Sequence, residues 1–132
     1  MSNRNEHMTA GAVVCGGANL AWQLYKISNS PQPPQGFWET VSRINFFELG
    51  IFAAGGAVIA AWPDILEPAK NNPNHRVFFH SVVFGGAVLY GAVGKHSQKW
   101  HPDARFAAAS IALSYLSHLY LDSGTTKGLP LT

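Results

Sequence analysis

The sequence has one cysteine, Cys15, so no disulfide can form within the chain. Cys15 lies in an apolar segment, where a buried and unreactive thiol is expected rather than a nucleophile. Ions that prefer several thiolates are also excluded. Any metal site in this chain has to be built from imidazole and carboxylate groups.

Charge is scarce as well. Only 12% of the 132 residues are charged, about half the fraction of an ordinary soluble domain, whereas 47% are apolar. The formal charge of +2 is not carried by a basic run, which argues against nucleic-acid binding. The length fits a single domain covering residues 1–132. This composition favours membrane association, although the mean hydropathy of +0.03 leaves open a soluble helical protein with an apolar face.

Four apolar segments predict four helices, at about residues 8–26, 43–62, 75–93 and 104–122. Met8 to Tyr25 runs eighteen residues without a formal charge, close to the ~20 that a membrane-spanning helix needs. Three prolines between Ser28 and Gly36 predict an exposed connection, and Pro63 predicts the end of the second helix. Asp103 is expected to cap the fourth helix, and Gly124 to terminate it.

Short connections favour an all-α fold, an up-down four-helix bundle embedded in the membrane. Two stretches of small residues, Ala53 to Ala57 and Gly85 to Ala87, would let neighbouring helices approach closely. The lysines and arginines divide four against five between the two ends of this bundle, which does not fix its orientation in a membrane.

In this topology, which follows from the connections alone, ionisable residues from all four segments meet at one end. They are His7, Asp64, Glu67, His75, His80, His118 and Asp122. Ionisable groups within apolar spans are costly and indicate function. His96, His101 and Glu48 belong to the opposite end, where the histidines are expected to be solvated and Glu48 to pair with a lysine or arginine.

The spacing of these residues is compatible with a metal site. His118 and Asp122 are four apart, so both project from one helix face, where they could share an ion or the carboxylate could orient the imidazole. His75 and His80 are five apart, roughly 140° around a helix, and converge only if His75 lies in the cap or the preceding loop. The predicted ligands are Asp64, His80, His118 and Asp122 in the first place, with His7 as a further candidate. This mixed set suits a divalent ion, with zinc first and manganese or iron as alternatives.

Three motifs carry a resemblance to a known family: Pro-Asp-Ile-Leu-Glu-Pro at residues 63–68, His-Arg-Val-Phe-Phe-His-Ser at 75–81, and His-Leu-Tyr-Leu-Asp-Ser-Gly-Thr-Thr at 118–126. In this order they resemble the bacterial inner-membrane family of predicted metal-dependent hydrolases, the YdjM and YbcI type. The resemblance extends from His7 to Leu131. The matching positions are His7, Asp64, His75, Arg76, His80, Ser81, His118, Asp122 and Thr126. Leu66 replaces a second aspartate of the usual pattern, and Glu67 replaces a histidine, although Glu67 can still act as a ligand or base.

The resemblance implies a multi-pass protein of the bacterial inner (cytoplasmic) membrane with hydrolase activity. We hypothesise that metal-activated water attacks a phosphoester or acyl bond, with a lipid-like phosphoester as the natural substrate at a membrane surface. Glu67 or His75 would take the proton from water. Arg76 would steady an anionic substrate or neutralise Asp64 or Glu67, and the sequence does not decide between these roles.

A second hypothesis is a non-catalytic membrane protein that forms a homo-oligomer or binds a partner. Its polar cluster would be a structural metal site or a hydrogen-bonded knot, and the small-residue stretches favour assembly equally well. The two hypotheses differ at the site itself. A catalytic site leaves a coordination position open to water, whereas a structural site is closed by protein ligands.

Overall fold

The computed structural model of the protein describes residues 4–66 and 79–124. Within these ranges the chain is helical and contains no strand, which confirms the predicted all-α class. The helices are α1 (Arg4–Ser28), α2 (Phe37–Ser42), α3 (Phe46–Leu66), α4 (Val82–Val93), a 3-10 helix (Lys95–Lys99) and α5 (Pro102–Ser123). The four predicted helices correspond to α1, α3, α4 and α5.

Pro63 does not end the second predicted helix. It lies inside α3, which continues to Leu66. A proline cannot donate to the carbonyl four residues earlier, here that of Ile59. Pro63 is buried and sits in the last turn, so only the final residues of the helix are affected. The prediction was wrong because tertiary packing keeps this last turn helical, and the extra turn carries Asp64.

The third predicted helix begins later than expected. Phe79 and His80 form a turn, and the N-cap of α4 is Ser81, whose Oγ accepts a hydrogen bond from the Phe84 amide at 3.1 Å. His80 therefore precedes the helix instead of lying within it, because a serine cap satisfies the first amides of α4. Residues 75–78 of the predicted helix lie outside the described ranges.

The start of α5 also differs from the prediction. His101, not Asp103, is its N-cap, and Pro102 takes the first helical position, where its missing N–H costs nothing. Nδ1 of His101 accepts from the Asp103 amide at 3.3 Å. The Asp103 carboxylate instead connects α5 to α1, because it accepts hydrogen bonds from Trp22 Nε1 (3.0 Å) and Lys26 Nζ (3.3 Å) of α1. Gly124 follows the helix as its C-cap, as predicted.

Two short elements were not predicted. Helix α2 follows the proline-rich connection and buries none of its six residues. The 3-10 helix occupies the polar turn between α4 and α5. Neither element presents an apolar stripe from which a helix could be recognised in the sequence.

Helices α1 and α3 approach each other closely at Gly11 and Gly56. A Cβ atom at Gly11 would lie 2.2 Å from the Gly56 carbonyl oxygen, and one at Gly56 would lie 2.3 Å from that of Gly11. The two backbones therefore touch, and Ser114 of α5 joins them by donating from Oγ to the Gly56 carbonyl at 2.6 Å. This crossing confirms that the small residues around Gly56 permit close helix packing.

A polar clamp joins the end of α1 to the start of α3, at the end of the molecule away from Gly11. Gln23 of α1 binds both backbone groups of Asn45: its Oε1 accepts from the Asn45 amide (2.7 Å) and its Nε2 donates to the Asn45 carbonyl (3.1 Å). Asn19 donates to Glu48 Oε1 at 2.9 Å. Glu48 thus accepts from a buried amide, and the expected lysine or arginine partner is not found within residues 4–66 and 79–124.

Candidate metal centre

The structure brings the five predicted ligands together from four parts of the fold. His7 lies in the first turns of α1, Asp64 in the last turn of α3, His80 just before α4, and His118 and Asp122 near the end of α5. They form two overlapping groups, His7 with His118 and Asp122, and Asp64 with His80 and His118. In each group the candidate ligand atoms lie within 4.8 Å of one another.

The helix crossing described above explains how His7 and Asp64 come together. His7 is one turn before Gly11 on the buried stripe of α1, and Asp64 is about two turns after Gly56 on α3. Because these glycines let the two backbones touch, the side chains beyond the crossing can meet. Nε2 of His7 lies 3.9 Å from Oδ2 of Asp64.

Asp122 faces all three histidines. Its Oδ1 lies 3.4 Å from His7 Nε2, and its Oδ2 lies 3.4 Å from His118 Nε2 and 3.7 Å from His80 Nε2. Asp64 approaches the same three nitrogens from the side of α3, at 3.3 Å for His80 and 3.9 Å for His118 and His7. The three Nε2 atoms therefore converge on two carboxylates.

The tautomer of His118 is set by a backbone carbonyl. Its Nδ1 lies 2.6 Å from the Ala60 oxygen, and because a carbonyl can only accept, Nδ1 carries a proton and donates it. A neutral imidazole then keeps its lone pair on Nε2, the atom that faces both aspartates. Nε2 of His118 is buried and has no hydrogen-bond partner among the described residues. This is the arrangement of a metal-binding histidine oriented through its other nitrogen.

A phenol and a serine cap hold His80. Tyr115 of α5 is buried, and its hydroxyl donates to the carbonyl oxygen of Phe79, the residue before His80. On the other side, Ser81 fixes the chain as the cap of α4. Neither Tyr115 nor the Ala60 carbonyl was among the predicted site residues. Tyr115 could have been found from its spacing, since it lies three residues before His118 and so shares its helix face.

The cluster is closed to solvent except at Asp64. The side chains of His7, His80, His118 and Asp122 are at most 1% exposed, whereas that of Asp64 is 30% exposed. Water or a substrate can therefore approach these residues on the side of Asp64.

The charges of the cluster fit a divalent cation. With neutral imidazoles, the two carboxylates leave two negative charges in a largely buried place, which is costly without compensation. Protonated histidines could also supply the balance, and Nε2 of His80 lies within hydrogen-bonding distance of Asp64 Oδ1, at 3.3 Å. Ligand bonds of about 2.0–2.2 Å around a tetrahedral or octahedral ion place neighbouring donor atoms roughly 3–3.5 Å apart. Three of the six nitrogen–oxygen distances, at 3.3–3.4 Å, fall in this range and the other three are 3.7–3.9 Å. The donor set suits zinc, and equally manganese or iron.

The predicted catalytic residues Glu67, His75 and Arg76 lie outside the described residues, so their positions relative to the cluster stay a prediction. His96 and His101 are exposed and belong to the opposite end, as predicted. His96 donates from Nε2 to the Gly91 carbonyl at 2.8 Å, and His101 caps α5.

One described helix, Phe46–Leu66, is long and apolar enough to cross a membrane, with a mean hydropathy of 1.7. Large apolar side chains of this helix are exposed, namely Phe46, Phe47, Ile51, Val58, Trp62, Ile65 and Leu66. Fold and site together define a small helical protein with an apolar outer face and a buried cluster of histidines and aspartates at one end.

The model of the family described as YdjM inner membrane protein matches residues 1–132. The chain belongs to this family of inner membrane proteins, which confirms the resemblance seen in the three motifs. No curated protein and no solved structure gave a match.

Proposed function

We propose that the protein is a multi-pass inner-membrane hydrolase that depends on a divalent metal ion, with zinc as the first candidate. The ligands would be His7, Asp64, His80, His118 and Asp122. The observation that carries the proposal is the convergence of three imidazole Nε2 atoms on two carboxylates inside the protein, at distances of 3.3–3.9 Å.

A divalent ion held there would activate water at neutral pH and polarise the oxygen of a phosphoester or acyl group. The protein would supply the rest of the chemistry. The Ala60 carbonyl holds the His118 ring, and the partial exposure of Asp64 leaves one side of the cluster accessible to water. That open side favours a catalytic over a purely structural site.

Proton transfer and substrate binding are assigned from sequence position. Glu67 or His75 would accept the proton of the attacking water, and Arg76 would bind an anionic group of the substrate. Glu67 is three residues from Asp64, and His75 and Arg76 precede His80 closely, so all three belong to segments that lead into the cluster.

The proposed substrate is a lipid-like phosphoester. Membership of an inner membrane family and the exposed apolar face of α3 support a site beside lipid. The multi-pass arrangement, with the four longer helices as an up-down bundle in the membrane, is part of the same proposal. Helices α1 and α5 have 25 and 22 residues, and a helix of about 20 residues can cross a bilayer.

Metal content tests the proposal most directly. Detergent-purified protein is compared by elemental analysis with its His118→Ala and His80→Ala variants, and with His96→Ala as a matched control outside the cluster. We expect near-stoichiometric zinc, manganese or iron in the wild type and the control, and loss of the ion in both cluster variants. A wild type that stays free of metal after reconstitution would refute the metal site.

Turnover is tested next, with the metal-containing protein and phosphoester and acyl-ester lipids in mixed micelles. We expect hydrolysis that disappears with His118→Ala and after removal of the ion by a chelator. A protein that holds its ion but hydrolyses none of these lipids would overturn the lipid substrate. Turnover of soluble esters would then retain the hydrolase, and no turnover at all would favour the structural cluster of an oligomeric or partner-binding subunit.

A further inference from the structure

A second groove lies at the end of the molecule opposite the histidines and aspartates. It occupies about 310 Å³ between the last turns of α1, the end of α4 and the start of α5. Its apolar walls include Trp22 of α1, Val93 of α4, and Phe106 and Ala109 of α5. Pockets that hold small ligands have volumes of roughly 300–1,000 Å³, so this groove can take part of a hydrocarbon chain.

One wall of the groove is a pair of stacked rings. The Trp22 and Phe106 rings lie 5.2 Å apart with an angle of 6° between their planes. The indole N–H of Trp22 donates to Asp103, so the ring is fixed and its polar atom is satisfied. An apolar chain could therefore lie against this surface without burying an unsatisfied donor.

The side chain of Arg105 provides a positive charge at the groove. Arg105 lines it and is exposed, and its guanidinium has no acidic partner in the described ranges. Lys95 and Lys99 lie on the 3-10 helix that joins the α4 wall to the α5 wall, and they too have no acidic partner in that part of the chain. The one acidic residue between Val93 and Ala109 is Asp103, which is held by Lys26 at 3.3 Å.

This local excess of positive charge contrasts with the rest of the same end. Arg43, for example, forms an ion pair with Glu39 one helical turn away. The groove thus combines apolar walls, a stacked pair of rings and the cation of Arg105, with Lys95 and Lys99 on the adjoining 3-10 helix. Those features match a ligand with a hydrocarbon chain and a net negative head group.

We propose that this groove binds an anionic phospholipid of the inner membrane, with the phosphate on Arg105 and the start of one acyl chain against Trp22 and Phe106. Arginine binds phosphate oxygens through two parallel N–H groups, and basic pockets between helices bind acidic phospholipid head groups. A family of inner membrane proteins has such lipids within reach. The site is separate from the metal centre and does not depend on the proposed hydrolase activity.

The test uses the full-length protein in a neutral detergent. Thermal unfolding is followed with added phosphatidylglycerol, and with phosphatidylcholine of the same acyl chains. We expect phosphatidylglycerol to raise the unfolding temperature of the wild type more than phosphatidylcholine does. Arg105→Gln should weaken phosphatidylglycerol binding on the order of tenfold, because it removes charged hydrogen bonds. Arg43→Gln is the matched control and should keep the preference, since Arg43 lies outside the groove.

Two further measurements separate the head group from the chain. Ala109→Phe fills the groove and should reduce binding of both lipids while leaving the cations in place. Glycerol phosphate, which has no acyl chain, should give a much smaller shift than phosphatidylglycerol. The proposal fails if Arg105→Gln and the wild type prefer phosphatidylglycerol equally, because the preference would then come from general lipid contact. It also fails if Ala109→Phe leaves the affinity for phosphatidylglycerol unchanged.

Discussion

Tyr115 acts on the candidate metal centre through the backbone. Its hydroxyl donates to the Phe79 carbonyl, so it fixes the peptide that precedes His80. Groups that orient metal ligands in this way typically contribute 10–100-fold to metal affinity.

We therefore expect Tyr115→Phe to weaken metal binding by about tenfold, at the lower end of that range because the effect passes through one peptide. The substitution keeps the buried ring and removes one hydroxyl. Tyr120→Phe on the same helix is the control, since that side chain is 79% exposed. Affinity would be measured by competition with a chelator of known strength. Equal affinities of the two variants would show that the hydroxyl does not position His80.

Cys15 provides a residue-scale test of the packing. Its thiol is 2% exposed and donates to the Ser110 carbonyl at 3.1 Å, between α1 and α5. We expect a maleimide reagent to leave Cys15 unmodified in the native protein and to modify it fully after denaturation. Mass spectrometry would measure this. Rapid labelling of the folded protein would contradict the described contact between the two helices.

At the scale of the elements, the Gly11 and Gly56 crossing determines whether α1 and α3 can approach. Gly11→Ala places a methyl group where the Gly56 carbonyl already lies, and overpacking of this kind costs about 1–3 kcal/mol. Because the helices must separate to admit the methyl group, His7 and Asp64 should also move apart. We expect a lower unfolding temperature together with weaker metal binding.

Gly17→Ala is the matched control for this prediction. A Cβ at Gly17 meets nothing within 4 Å, although it belongs to the same helix. Alanine is favoured over glycine in a helix by about 0.5–1 kcal/mol, so this variant should be as stable as the wild type or slightly more stable. Thermal unfolding of both variants in the same detergent distinguishes the steric effect from a general effect of alanine in α1.

The sequence was sufficient to predict the four longer helices, because apolar segments of this length have few alternatives to a buried or membrane helix. It was not sufficient for their ends. A proline by itself predicts the end of a helix, but packing keeps the buried Pro63 within α3. His101 and Ser81 cap helices through side-chain geometry that neighbouring polar residues, such as Asp103, could equally have supplied.

The proximity of the candidate ligands could also be predicted, because their helix ends follow from the order of the segments. The groups that orient them could not. The Ala60 carbonyl is a backbone atom with no signal in the sequence. Glu48 is bound by Asn19 in the polar clamp between α1 and α3, and the sequence does not specify which residues meet there.

At the scale of the whole molecule, a bound ion would link helices that are far apart in the sequence. The candidate ligands come from α1, α3, α5 and the residue before α4, so an ion that binds only the folded protein stabilises all of these elements at once. We expect a strong chelator to lower the unfolding temperature of the wild type by several degrees. Asp122→Asn, which keeps the shape of the side chain but removes its charge, should make the unfolding temperature insensitive to the chelator. The same chelator response in wild type and Asp122→Asn would place the stabilising ion elsewhere.

The distribution of the candidate ligands along the chain also bears on how the protein is made. His7 leaves the ribosome long before Asp122, and the two groups defined by the structure share His118, which is also translated late. An ion therefore has no complete set of candidate ligands during most of synthesis. The ion would therefore bind last, after the helices that carry its ligands have packed together.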